Sequence, residues 1–141
     1  MRSSFLLLVA LAACGSSNNK SGADAGSASP ITCNGGTCTC ATLATCEINQ
    51  ENCGSADALD CTSQSGCIGA CGPNATVSCD ADSTCTLTLG VGDTLDCAAG
   101  ADCQIACLGA CTVTCASGAS CQLTCSGGGS ATTVGPSETC S

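Results

Sequence analysis

Two residue types in this 141-residue chain can do chemistry: 19 cysteines and 11 acidic residues. There is no histidine, so a serine or cysteine nucleophile lacks its usual general base. A thiol can also ligate metal or form half of a disulfide. The cysteines are too many and too regular to be catalytic. Zinc sites favour cysteine pairs separated by two to four residues. No Cys-x2-Cys occurs here, and Cys38 and Cys40 make the one Cys-x-Cys. The dominant spacings leave five or three residues between cysteines. Disulfides are the better reading, with no metal and no cofactor expected.

The carboxylates offer less. Asp80 with Asp82, or Asp93 with Asp96, form pairs of the kind that hydrolyse glycosides. They are expected in turns or on outer faces, without an aromatic platform, as solvated charges that keep the molecule soluble. No enzyme is expected. The segment Gly90-Val91-Gly92-Asp93-Thr94-Leu95 faintly resembles the glycine- and aspartate-rich nonapeptide of calcium-loaded β-rolls, whose coils are also 18 residues. The other coils lack that pattern, so sulfur is expected to do here what calcium does in β-rolls.

The elements that must position these residues follow from an 18-residue grid. Cys61, Cys79, Cys97 and Cys115 form one column, and Cys67, Cys85, Cys103 and Cys121 a second. Cys71, Cys107 and Cys125 form a third, with Leu89 in the remaining slot. A fixed internal period of this size marks a solenoid. Each coil opens aliphatic-polar-Cys, crosses five small polar residues, reaches a second Cys and continues with alternating inward and outward residues, as in Cys103-Gln104-Ile105-Ala106-Cys107. Period two means a strand with one buried face. The predicted fold is therefore all-β: a small, disulfide-filled parallel β-solenoid with 18-residue coils and two short strands per coil. Gly100 and Gly118, with Asp82 and Gln64 at the same place in other coils, supply the first corner. Glycine and aspartate tolerate the positive φ such a corner needs. A helical alternative rests on Cys103, Cys107, Cys111 and Cys115, spaced four apart. Gly109 and the β-prone Thr112-Val113-Thr114 argue against it.

Both ends of the grid are degenerate. An irregular first coil runs from Cys38 to about Ala58, with a three-residue slip around Asn49 to Asn52. At the other end, Ala131-Thr132-Thr133-Val134 reads as a further first strand, and Cys140 lies near the second-strand column. Irregular ends suit caps. Cysteines that flank one corner are expected to pair within a coil: Cys40–Cys46, Cys61–Cys67, Cys79–Cys85, Cys97–Cys103 and Cys115–Cys121. A loop closed over seven residues stabilises by about 2–2.5 kcal/mol on the chain-entropy argument. The other eight cysteines are assigned as Cys33–Cys38, Cys53–Cys71, Cys107–Cys111 and Cys125–Cys140.

The chain divides into residues 1–13, 14–30 and 31–141. Met1-Arg2 is a positive start, and Phe5 to Ala13 an apolar run of nine residues. That is too short to span a membrane but suits the core of a secretion signal. The run ends Leu11-Ala12-Ala13-Cys14-Gly15, which resembles a bacterial lipobox. The resemblance implies cleavage before Cys14 and lipidation of its thiol. It also implies the outer membrane, since Gly15 is not the Asp that retains lipoproteins in the inner membrane. Setting Cys14 aside leaves 18 cysteines, the even number a closed disulfide framework needs. Two or more acyl chains anchor a protein stably. Residues 15–30 are rich in Ser, Ala, Gly and Asn, as in a flexible tether.

From Ile31 onward the chain has no aromatic residue, Lys, Arg or His, and only 15 Leu, Ile or Val. Secreted chains this poor in apolar residues rely on disulfides. With no cation to meet phosphate, a nucleic-acid partner is excluded. Lipobox, tether and cysteine repeats together resemble the cysteine-rich repeat surface lipoproteins of myxobacteria, a likeness of composition that implies no activity. The expected role is structural or interactive: attachment to the membrane through a lipid, and contact with a surface protein or polysaccharide. Metal or glycan binding is the alternative. Thr86-Leu87-Thr88 and Thr112-Val113-Thr114 resemble the Thr-x-Thr ladders of disulfide-filled insect antifreeze proteins. Gln104, Ala106, Gln122, Asp96 and Asp60 break the ladder that ice binding would need.

Overall fold

The alternating runs form strands that bury one face. The protein is described here by a computed structural model covering residues 31–126, 132–133 and 135–140. The expected signal peptide, Cys14 and the tether lie outside the described residues. So do Ala131 and Val134. Thirteen strands and no helix occur among the described residues. They are β1 (Ile31–Asn34), β2 (Thr37–Cys40), β3 (Thr45–Ile48), β4 (Ala58–Cys61), β5 (Gly66–Ala70), β6 (Thr76–Cys79) and β7 (Thr84–Leu89). There follow β8 (Thr94–Cys97), β9 (Asp102–Cys107), β10 (Cys111–Cys115), β11 (Ser120–Cys125), β12 (Thr132–Thr133) and β13 (Ser137–Cys140). In β7, Cys85, Leu87 and Leu89 are buried while Thr84 and Thr86 are exposed. The same alternation runs through β8 and β9.

Successive coils stack as two parallel sheets. One carries β2, β4, β6, β8 and β10, the other β3, β5, β7, β9 and β11. The register places Cys61, Cys79, Cys97 and Cys115 side by side. It does the same for Cys67, Cys85, Cys103 and Cys121. The chain is a β-solenoid of about five turns with the 18-residue coil that the cysteine columns indicated. The first coil takes three residues more: Thr37 pairs with Ala58, and Thr45 with Gly66. The extra residues sit in a bend closed by its own asparagines. Asn49 Oδ1 accepts from Glu51 N at 2.8 Å, and Asn52 Oδ1 accepts from Asn49 N at 2.9 Å.

The space between the sheets is thin, and sulfur fills most of it. Of 27 buried apolar residues among those described, 16 are cysteines. The rest are small or aliphatic, such as Leu59, Val77, Leu89, Leu95 and Val113. At each first corner one residue takes a left-handed conformation: Leu43, Gln64, Asp82, Gly100 and Gly118, with φ of 64°, 62°, 60°, 87° and 93°. Leu43 is a poor residue for this conformation, which costs about 1–2 kcal/mol with a Cβ. The stacking of coils, not local preference, sets its backbone. Gly69 is required for a different reason. Its φ is 145°, and a Cβ there would collide with the Ile48 carbonyl oxygen.

The chain reverses direction at both ends. β1 folds back antiparallel on β2. At the other end β12 lies antiparallel on β11, and β13 antiparallel on β10. This corrects the assignment of the C-terminal segment. Thr132 and Thr133 extend the second-strand sheet, not the first, and Cys140 joins the first-strand sheet, not the second. A further parallel coil would have left two open strand edges, which invite pairing with other chains. Reversal after β11 instead places the short strands β13 and β12, of four and two residues, at those edges.

Candidate functional site

Sulfur chemistry and the outer faces are the two places where this molecule can act. All 18 cysteines from Cys33 to Cys140 are bonded in the structure. Five bridges span the first corner, one per coil: Cys40–Cys46, Cys61–Cys67, Cys79–Cys85, Cys97–Cys103 and Cys115–Cys121. Their Cα atoms lie 6.0–6.7 Å apart, inside the range disulfides need. The corner itself sets that separation, because it turns two strands whose terminal cysteines both face inward. The remaining bonds are Cys33–Cys38 in the first cap, Cys53–Cys71 between coils, Cys107–Cys111 across the second corner and Cys125–Cys140 to the last strand. Cys33 and Cys125 are exposed, and the other sixteen are buried.

Stacking brings sulfurs of different coils together in a way the linear spacing hides. The sulfurs of Cys61, Cys79 and Cys85 lie within 4.8 Å of one another. So do those of Cys79, Cys97 and Cys103, of Cys97, Cys115 and Cys121, and of Cys107, Cys111 and Cys140. Metal-ligand spacing read along the chain misses such trios, because the neighbours are 18 residues apart. The ligating species is a thiolate, and every sulfur named here is half of a disulfide.

The carboxylates divide. Asp82 and Asp96 are exposed and Asp80 half-buried, as solvated charges would be. Asp93 overturns that reading, being 1% exposed. Its Oδ1 accepts from Ala75 N at 2.8 Å and its Oδ2 from Gly90 N at 2.6 Å. The acid thus joins its own turn to the coil before it and satisfies two backbone donors that no strand partner reaches. Asp57 repeats half of the device two coils earlier, accepting from Gly54 N at 2.8 Å. The recurrence of Gly-x-x-Asp at 54–57 and 90–93 was the available signal. Because both Asp93 oxygens hold N–H donors, the Gly90–Leu95 segment behaves as an anchored turn. Asp60, half-buried on β4, has its carboxyl held above the usual carboxylate range by burial and, second, by the charge of Asp80.

The outer faces are mostly polar, with Ile68 exposed on β5. On the seven-stranded sheet, Thr37, Ala58, Thr76, Thr94 and Thr112 form one outward column. Thr39, Asp60, Ser78, Asp96 and Thr114 form the next. Thr94 and Thr76 hydroxyls approach to 3.5 Å. Most of this threonine column escaped the sequence reading, which looked for Thr-x-Thr pairs within a strand. The two such pairs it found lie on different sheets, Thr86 and Thr88 on β7 and Thr112 and Thr114 on β10. On the six-stranded sheet a shallow depression of about 240 Å³ is lined by Thr86, Thr88, Gln104, Ala106, Gln122 and Thr124. The threonine and glutamine side chains can donate and accept hydrogen bonds, and none brings a general base.

No protein-family model, no curated protein and no solved structure matches this chain.

Proposed function

We propose that this chain is a lipid-anchored surface module of the outer membrane, with a structural or interaction role and no catalytic one. The address rests on one observation: Leu11-Ala12-Ala13-Cys14-Gly15 directly follows a positive start and a nine-residue apolar run. Cys14 carries the lipid, residues 15–30 act as the tether, and the solenoid stands off the bilayer. An oxidising compartment suits a domain filled by disulfides. Two outer faces bearing Thr, Ser, Gln and Asp at strand spacing support contact with another surface protein or a polysaccharide through many weak hydrogen bonds. The acidic balance, 11 acids against two basic residues, disfavours contact with nucleic acid.

The test is intact-mass analysis of protein from membranes of the native host, together with fractionation of a Cys14→Ser variant. The expected results are a mature chain beginning at Cys14 with added acyl mass, and a variant absent from the outer-membrane fraction. An unmodified mature chain, or a variant still anchored, contradicts the proposal. Cross-linked pull-down from the same membranes then identifies the contact.

A further inference from the structure

Four cysteines at the C-terminal cap are placed so that a second disulfide pairing lies close to the observed one. The observed bonds are Cys107–Cys111 and Cys125–Cys140. Yet the strand register sets different residues opposite one another. Cys111 faces Cys140 across the antiparallel pair β10–β13, and Cys125 lies beside Cys107 in the parallel pair β9–β11. The sulfur of Cys140 lies within 4.8 Å of both sulfurs of the Cys107–Cys111 bond.

The rest of the molecule holds a precedent for each alternative bond. Facing cysteines of an antiparallel cap are bonded at the opposite end, where Cys33 faces Cys38. Cysteines of successive coils, 18 residues apart as Cys107 and Cys125 are, bond elsewhere in the molecule: Cys53–Cys71, with Cα atoms 4.8 Å apart. Both bond types therefore occur elsewhere in this solenoid. Cys125 is exposed while Cys107, Cys111 and Cys140 are buried, so a thiolate from solution has one point of attack.

We propose that Cys107, Cys111, Cys125 and Cys140 form a thiol-triggered exchange site that switches the cap between two disulfide pairings, with a small monothiol as the reagent it takes. The thiolate RS⁻ attacks the Cys125 sulfur, forming RS–S–Cys125 and expelling the Cys140 thiolate. The Cys140 thiolate attacks the Cys111 sulfur, forming Cys111–Cys140 and expelling the Cys107 thiolate. The Cys107 thiolate attacks the Cys125 sulfur, forming Cys107–Cys125 and returning RS⁻. Two disulfides are broken and two formed. The thiol is a catalyst, and no net oxidation or reduction occurs. Attack through a thiolate and a mixed disulfide is the ordinary course of such exchange. The switch frees the corner 108–110, bearing the exposed Leu108, from its closing bond and ties β13 directly to β10.

Disulfide mapping of the full oxidised chain tests this. The protein is held at mildly alkaline pH with a catalytic amount of β-mercaptoethanol, quenched with acid, alkylated and digested with pepsin, for which Leu108 offers a site between Cys107 and Cys111. Linked peptides of both pairings are expected after thiol treatment, with the other seven bridges unchanged. The original pairing alone, or scrambling of all nine bridges, overturns the proposal. Two double variants give a second readout. Cys107→Ser with Cys125→Ser leaves Cys111 and Cys140, and Cys111→Ser with Cys140→Ser leaves Cys107 and Cys125. Cys14 aside, each is expected to show no alkylatable thiol and the wild-type β spectrum. Two free thiols in either folded variant overturn it. If a variant does not fold, the mapping of the wild-type chain decides.

Discussion

The two edges of the solenoid solve the same problem differently. Along the first corner, every coil from Cys40–Cys46 to Cys115–Cys121 repeats one bridge. Along the second edge, Leu89, Cys107 and Cys125 stand side by side, Cys53 is bonded to Cys71, and the turns beside them are held by Asp93 and, in part, by Asp57. Sulfur is thus dispensable at a given coil of the second edge, provided the volume is filled and the backbone donors are met. The first edge shows no such substitution. The contrast teaches that the columns mark a packing requirement, which a disulfide meets best where two inward residues flank a tight corner.

The largest effect should come from breaking the uniform edge. Replacing Cys79 and Cys85 together by serine removes a central bridge and places two hydroxyls among buried neighbours. A loss of about 2–5 kcal/mol in denaturant unfolding is expected. A change under about 1 kcal/mol would place the stability elsewhere. On the second edge, Leu89→Ala deletes the apolar member of the mixed column, which is fully buried. Truncation of such a residue costs about 2–5 kcal/mol. The lower part of that range is expected here, because bonded neighbours on one side hold the coils in register; a cost above that of the cysteine pair would invert the comparison.

Asp93→Ala should be milder again. It leaves the N–H groups of Ala75 and Gly90 without the acceptors they have now, a penalty of about 1–3 kcal/mol. Faster amide exchange at those two positions is the sharper readout. Unchanged exchange would mean that water replaces the carboxylate at no cost. The smallest effect concerns Asp60. Its carboxyl holds a proton more tightly in the folded chain than in the unfolded one. The folded state therefore binds more protons around the carboxylate pKa, and stability falls as pH rises from the unfolded value through the raised folded one. Asp60→Asn should abolish that component, so that the variant gains slightly on the wild type above this window and matches it below. Parallel pH curves for the two proteins would contradict the assignment.

Much of this architecture was legible because the repeat is written in a rare residue. The columns of Cys61 and Cys67 fix coil length, inward faces and corner positions at once, and alternation such as Cys103-Gln104-Ile105-Ala106-Cys107 supplies the strands. What stayed hidden depends on neighbours 18 residues away or on chain direction. Asp93 reads as a solvent residue in a glycine turn, because its partner Ala75 is a coil distant. The reversal after β11 leaves no mark in the pattern of Thr132 and Thr133, since two alternating residues suit either sheet and either direction. The quartet at Cys107, Cys111, Cys125 and Cys140 is likewise visible only once β13 is placed against β10.

The central claim is that disulfides, not an apolar core, hold these coils. The most direct measurement is far-ultraviolet circular dichroism of the native chain during stepwise reduction, with thiols counted at each step. Setting Cys14 aside, the account predicts no reactive thiol at the start and loss of the β signal as the bridges open. Many free thiols in the untreated protein, or a full β signal with every bridge reduced, would contradict it.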